Sequence, residues 1–104
     1  MDVVTVTGNL LAEWTFEVVK LVPGATHRAE RMSFQVGGKG VNVSRVLKHL
    51  GLQTEAHGFA SGELAELCRG WLREREMEHC FHPLDSGVRP GRVVRESGER
   101  YASE

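Results

Sequence analysis

Cysteine, proline and charge of one sign are all in short supply. The 104 residues include two cysteines and three prolines, and 13 Lys plus Arg against 14 Asp plus Glu leave a formal net charge of −1. Cys68 and Cys80 have neither CxxC spacing nor the density of a disulfide framework, so both are expected to be reduced and structural. Balanced charge excludes a bulk attraction to nucleic acid or to an anionic membrane, and any basic site must be local. Long hydrophobic runs are missing as well. The longest stretch without a charged residue, Val3 to Ala12, contains Thr5, Thr7, Gly8 and Asn9 and is too short and too polar to cross a bilayer. The start, Met1-Asp2-Val3-Val4, lacks the positive charge of a secretory leader, which makes the cytoplasm the expected compartment. What remains is ordinary globular material, 40% hydrophobic and 26% charged, enough for one small domain or part of a larger one.

The β-branched run Val3-Val4-Thr5-Val6-Thr7, ended by Gly8-Asn9, reads as a buried strand. Trp14 to Val19 and Arg31 to Val36 alternate apolar with polar residues on either side of Pro23-Gly24, the pattern of a half-exposed hairpin or flap. After Gly37-Gly38-Lys39-Gly40, the spacing of Val43, Val46, Leu47 and Leu50 predicts one face of a helix stopped at Gly51. Leu64, Leu67, Cys68 and Trp71 predict a second helix, with Ser61 as N-cap and a weak point at Gly70. Cys80 to Leu84 suggests a third core strand, and Arg92 to Ala102, turning at Ser97-Gly98, a further exposed hairpin. Strand, helix, strand, helix, strand is the grammar of a parallel α/β sheet, with the alternating segments forming a small sheet beside it. Three core strands make a thinly covered sheet, so the chain is expected to be the front part of a longer protein.

Chemistry concentrates in Gly37-Gly38-Lys39-Gly40-Val41-Asn42-Val43-Ser44. Glycines admit close approach of a ligand to the backbone, and the amides at a helix start favour an anion. Lys39 adds a positive charge, and the Asn42 amide offers a donor and an acceptor to a polyol. The spacing matches neither GxxxxGK[ST] nor GxGxxG, so from spacing alone a plain tight turn, with Lys39 solvated and Asn42 a cap, stays open.

The run from Gly37 to Gly51, followed by Gly58-Phe59, resembles the first signature of the PfkB, or ribokinase-like, carbohydrate kinases. Its Gly-Gly-Lys-Gly form is most similar to the branch acting on sugar phosphates, the 1-phosphofructokinases and tagatose-6-phosphate kinases. The resemblance implies an α/β, ribokinase-like fold in which residues 1–104 are the N-terminal part of a single kinase domain, with flap segments near 14–36 and 88–104. It implies phosphoryl transfer from ATP, with Mg²⁺, to a sugar or sugar-phosphate hydroxyl, and a homodimer formed through the flap, since Phe16, Val18, Met32 and Phe34 would otherwise be exposed. Gly37, Gly38 and Asn42 match positions that hold sugar hydroxyls, Lys39 matches the sugar-phosphate branch's lysine, and Arg28 and Arg89 match contacts to the acceptor's phosphate. As residues alone, both arginines also read as solvated charges on exposed strands.

Two departures matter. Where the branch has Asn-Pro-Ala-apolar-Asp, this chain has Asn9-Leu10-Leu11-Ala12-Glu13, placing the sugar-gripping carboxylate of Glu13 one methylene further out. The family's Gly-x-Gly-Asp, which carries the catalytic base beside the ATP pocket, does not occur, and no aspartate follows Asp85. This chain alone is therefore expected to bind neither ATP nor Mg²⁺ and to be inactive. Two other expectations compete: a kinase for a nucleoside or unphosphorylated sugar, and a non-catalytic binding or dimerisation module. No metal site is expected, because donors in His79-Cys80-Phe81-His82 alternate between strand faces and no second cluster completes a tetrahedron. His27, His49 and His57 read as scattered surface or core-edge residues.

Overall fold

The computed structural model describes residues 2–85 and 87–96. The first run forms β1 (Val3–Thr7), and after Gly8-Asn9 the chain enters β2 (Leu10–Val18), crosses a loop, and returns as β3 (Arg31–Gly37). There follow α1 (Lys39–His49), β4 (Thr54–Phe59), α2 (Gly62–Glu74), β5 (Glu78–His82) and β6 (Val88–Glu96). Two three-stranded sheets result. One has the order β1-β4-β5 and is parallel throughout; the other is the flap, β3-β2-β6.

The parallel sheet follows from the two helical crossovers, because parallel neighbours need a long connection. Its strands alternate: Thr5, Thr7, Thr54, Ala56 and Gly58 are buried and face the helices, while Val4 and Val6 stand 53% and 64% exposed on the other side. α1 lies on β1 and β4, and α2 on β5 and the flap strands. The core between α2 and the flap contains Leu10, Ala12, Val36, Cys68, Trp71 and Leu72, all buried. Burial of Trp71 and Leu72 holds the second half of α2 helical through Gly70, whose missing side chain faces open space.

Several expectations are corrected. The stripe Val43, Val46 and Leu50 does not face the sheet; all three are exposed, and Val41 and Ser44 are buried instead. The cause is polar: β1 presents threonines, and Thr5 Oγ1 shares a 2.7 Å hydrogen bond with Ser44 Oγ. Likewise Leu67 is exposed, and Ala65 takes its place inward. Ser61 occupies the N-cap position of α2, yet its hydroxyl accepts the Leu84 N–H at 3.0 Å rather than capping the helix. The third core strand begins at Glu78, two residues earlier than expected, and ends at His82. Of the hairpin expected over Arg92 to Ala102, the first arm belongs to a strand, Val88 to Glu96, that pairs in parallel with Leu10 to Val18; the turn at Ser97-Gly98 and the second arm lie outside the described residues. The first flap strand starts at Leu10 rather than near Trp14, because both partners extend to that end.

The two thiols differ. Cys68 is fully buried, and burial pushes its thiol up from the usual 9.0 to about 11. Cys80 is exposed and free, so of the two thiols expected to be reduced and structural only Cys68 lies in the core. A thiol reagent at pH 8 is expected to modify Cys80 rapidly and Cys68 only after unfolding; equal rates would contradict this. Since the unfolded thiol ionises first, the contribution of Cys68 is complete below pH 9 and fades as pH rises towards 11, a loss of roughly 2 kcal/mol read in urea midpoints.

Candidate acceptor site at the start of helix α1

The site begins with a steric requirement. Gly38 has φ +125°, and a Cβ there would lie 2.5 Å from Thr7 Cγ2; a Cβ on Gly40 would meet the Val6 carbonyl carbon and oxygen at 3.0 Å. Glycine therefore lets the first turn of α1 press against the C-terminal end of β1, the edge of an open α/β sheet where ligands characteristically bind. Thr7 Oγ1 accepts the Val41 N–H at 3.1 Å, and the Asn42 N–H donates to the Gly38 carbonyl at 3.0 Å. Of the amides that open the helix, those of Lys39 and Gly40 are left for a ligand among the described residues. No acidic side chain occupies the first turn, so the positive end of the helix dipole is uncompensated, and exposed Lys39 adds its charge there.

The flap delivers the second wall. Leu11 pairs with Gly37 on one side and Arg89 on the other, and Glu13 pairs with Gln35 and Gly91. Paired residues share a face, so Glu13, Gln35 and Arg89 project from one side of the flap while Leu10, Ala12, Trp14 and Phe34 project from the other. Trp14 and Phe34 meet at 5.0 Å between ring centroids, and Arg92 lies over Trp14 at 5.9 Å. The Glu13 carboxylate accepts from Gln35 Nε2 at 2.7 Å, which fixes it across the strands.

Backbone connectivity and register thus bring Gly37, Gly38, Lys39, Glu13 and Arg89 to one corner, with Asn42 one turn into α1. Asn42 is exposed, and its Oδ1 accepts from Arg45 at 3.5 Å, along the helix rather than across to Glu13. Arg28 is not brought there. The β2–β3 ladder runs from Leu11–Gly37 to Glu17–Arg31, about 20 Å of strand, and Arg28 lies in the loop beyond that far end. Glu13, Gly37 and Gly38 are half-buried there, while Lys39 and Arg89 are exposed, and a concavity lies further along α1. It measures about 350 Å³ and is lined by Arg45, Lys48, His49, Arg75 and Met77.

Sequence reasoning missed Thr7 and Gln35. Thr7 was legible only as one more β-branched strand residue, and Gln35 as one outward position in an alternating strand; their partners are 34 and 22 residues away. The corner also does not suit Mg²⁺. Mg²⁺ needs several oxygen ligands, whereas the first turn of α1 has no carboxylate and Glu13 is engaged by Gln35.

A parallel β/α sheet carrying a β flap, with a glycine-bounded helix start between them, defines an α/β chain with a separate mixed sheet. The profile of the pfkB family carbohydrate kinases matches residues 1–102, and the chain belongs to that family. It is 33% identical over 85 residues to the 1-phosphofructokinase of Bacillus subtilis (strain 168), a match covering 82% of this chain and 28% of that protein. The crystal structure of Escherichia coli phosphofructokinase-2 in complex with fructose-6-phosphate superposes with a TM-score of 0.85 at 22% identity, covering 95% of this chain and 33% of that one. The tetrameric inhibited form of that enzyme gives the same score and coverage. The chain therefore spans about a third of these relatives' length, and it matches the N-terminal part of the ribokinase-like fold.

Proposed function

We propose that residues 1–104 form the acceptor-binding side and flap of a sugar-phosphate kinase of the 1-phosphofructokinase type, within a single kinase domain whose ATP and Mg²⁺ sites lie outside this segment. The observation that supports this reading is the helix start itself: no acidic side chain compensates it, Lys39 stands exposed on it, and the strand carrying Gln35 opposite Glu13 runs directly into it. The Lys39 and Gly40 amides and the Lys39 ammonium suit a phosphate, and Glu13 and Asn42 suit hydroxyls. Arg89, exposed on β6 at the same end of the flap, adds charge for the phosphate. The family supplies phosphoryl transfer from ATP with Mg²⁺, and this segment's part is to bind and orient the acceptor hydroxyl.

The same reading includes a second copy of the chain on the flap. Met32 and Val94 are exposed beside half-buried Phe16, in the row where α2 no longer covers the apolar face. The cytoplasm fits such a protein, and no helix among the described residues is long and apolar enough to cross a membrane.

Calorimetric titration of the chain with fructose 6-phosphate and with fructose tests the acceptor class. The phosphorylated sugar is expected to bind at least tenfold more tightly at low salt, with the advantage lost in Lys39→Ala and shrinking as salt rises. Equal affinities would favour an uncharged acceptor such as a nucleoside or free sugar. Binding of neither, with a stable dimer retained, would favour a non-catalytic module.

A further inference from the structure

On the side of the parallel sheet away from the helices, three metal-ligating side chains converge that no single segment of sequence supplies. The parallel register places His57 of β4 directly opposite Cys80 of β5, and His82 follows Cys80 by two residues, on the same face. The side-chain ligand atoms of His57, Cys80 and His82 all lie within 4.8 Å of one another. His57 Nδ1 and His82 Nε2 are 2.9 Å apart, and the rings stack at 5.2 Å between centroids. On its far side, His57 Nε2 is 2.7 Å from Glu55 Oε1.

An ionised Glu55 only accepts, so a neutral His57 carries its proton on Nε2 and presents a lone pair at Nδ1. His82 Nε2–H then donates to that lone pair. A carboxylate, an imidazole and an open lone pair in sequence are the arrangement that orients histidine towards a metal, with the carboxylate setting tautomer and basicity. In a tetrahedral zinc site two histidine nitrogens stand about 3.3 Å apart, from Zn–N bonds of about 2.0–2.1 Å. The observed pair needs to open by only a few tenths of an ångström.

We propose that His57, Cys80 and His82 form a binding site for a thiophilic divalent cation of the Zn²⁺ class, with Glu55 orienting His57 and a fourth position open to water. Two imidazoles and a thiolate favour zinc over the hard, oxygen-seeking Mg²⁺ and Ca²⁺. Binding moves the His82 proton from Nε2 to Nδ1 and releases the Cys80 thiol proton to solvent, so one proton leaves per ion bound. The site does not depend on the acceptor-binding role: it lies on the other face of the sheet from α1, and its test reads metal rather than sugar or turnover.

The test is titration of the reduced chain with Co²⁺ and then Zn²⁺, followed by absorption. One Co²⁺ per chain is expected, with tetrahedral d–d bands and a thiolate-to-cobalt charge-transfer band, both abolished by one equivalent of Zn²⁺ and insensitive to excess Mg²⁺. Cys80→Ser should remove the charge-transfer band, and His82→Ala should weaken Zn²⁺ by more than tenfold. Glu55→Gln should weaken it about tenfold. His79→Ala, whose side chain bonds the Met77 carbonyl on the opposite face, should leave affinity unchanged. Since the wild-type cobalt spectrum needs no variant, misfolding of a mutant does not blunt the test. A spectrum without the thiolate band, absence of one-to-one Zn²⁺ binding at micromolar concentration, or equal weakening by His79→Ala and His82→Ala would overturn the proposal.

Discussion

Incubated with ATP, Mg²⁺ and fructose 6-phosphate, residues 1–104 alone are expected to form no bisphosphate above the rate without protein. Phosphoryl transfer is positioning plus charge stabilisation, and the corner described above supplies only the first half of the positioning. A positioned general base contributes roughly 10²- to 10⁴-fold, and electrostatic clamps on the transferring group roughly 10³- to 10⁵-fold. The chain contains no Gly-x-Gly-Asp, and its acceptor corner lacks the oxygen ligands Mg²⁺ requires. The measurement is phosphorus NMR of the mixture over hours at high chain concentration. Product accumulating in proportion to the chain would mean that a base and a metal site are assembled from residues within it.

Replacement of Gly38 by alanine is expected to destabilise the chain by about 2–6 kcal/mol. Left-handed, extended backbone costs an L residue roughly 1–3 kcal/mol, and forcing a methyl into a filled space costs roughly 1–3 kcal/mol more. Here the methyl meets Thr7 Cγ2 at 2.5 Å and the Asn9 carbonyl oxygen at 3.2 Å. The internal control is Gly62→Ala at the start of α2. Gly62 also has positive φ, +81°, but nothing lies within 4 Å of its added Cβ, so only the conformational cost of about 1–2 kcal/mol applies. Urea midpoints of the two variants decide the matter. Equal losses would show that the α1 start does not press on β1. The glycine pattern at 37–40 thus has a packing cause whether or not a ligand binds there, which is why spacing alone did not separate a turn from a pocket.

What was legible in the sequence is what local chemistry determines. Val3 to Thr7 is a strand ending before Gly8 as read, though half-exposed through Val4 and Val6 rather than buried, and the break at Gly37 to Gly40 followed by helical spacing marked the start of α1 within two residues. The PfkB signature gave the fold and the family. What stayed hidden depends on partners distant in sequence. The inward face of α1 was misread because Ser44 is drawn in by the Thr5 hydroxyl while Val43, Val46 and Leu50 stay outside. The pairing of β6 with β2 joins residues 78 positions apart, such as Leu10 and Val88, and no local pattern encodes it. His57 looked solitary for the same reason: parallel register, not spacing, places it against Cys80. Of the candidate site, the Gly37 to Asn42 run and Glu13 could be read from residues and resemblance, but the tie of Glu13 to Gln35 could not.

The central claim is that a phosphorylated sugar is held where α1 begins, between Lys39 and the polar face of the flap. Titrating fructose 6-phosphate into isotopically labelled chain, and following backbone amide shifts, tests it most directly. Saturable shifts are predicted at Gly38, Lys39 and Gly40, with smaller ones at Gln35 and Arg89 and none along β5. Shifts confined to the basic concavity at Lys48, His49 and Arg75, or no saturable shift at any amide, would contradict it.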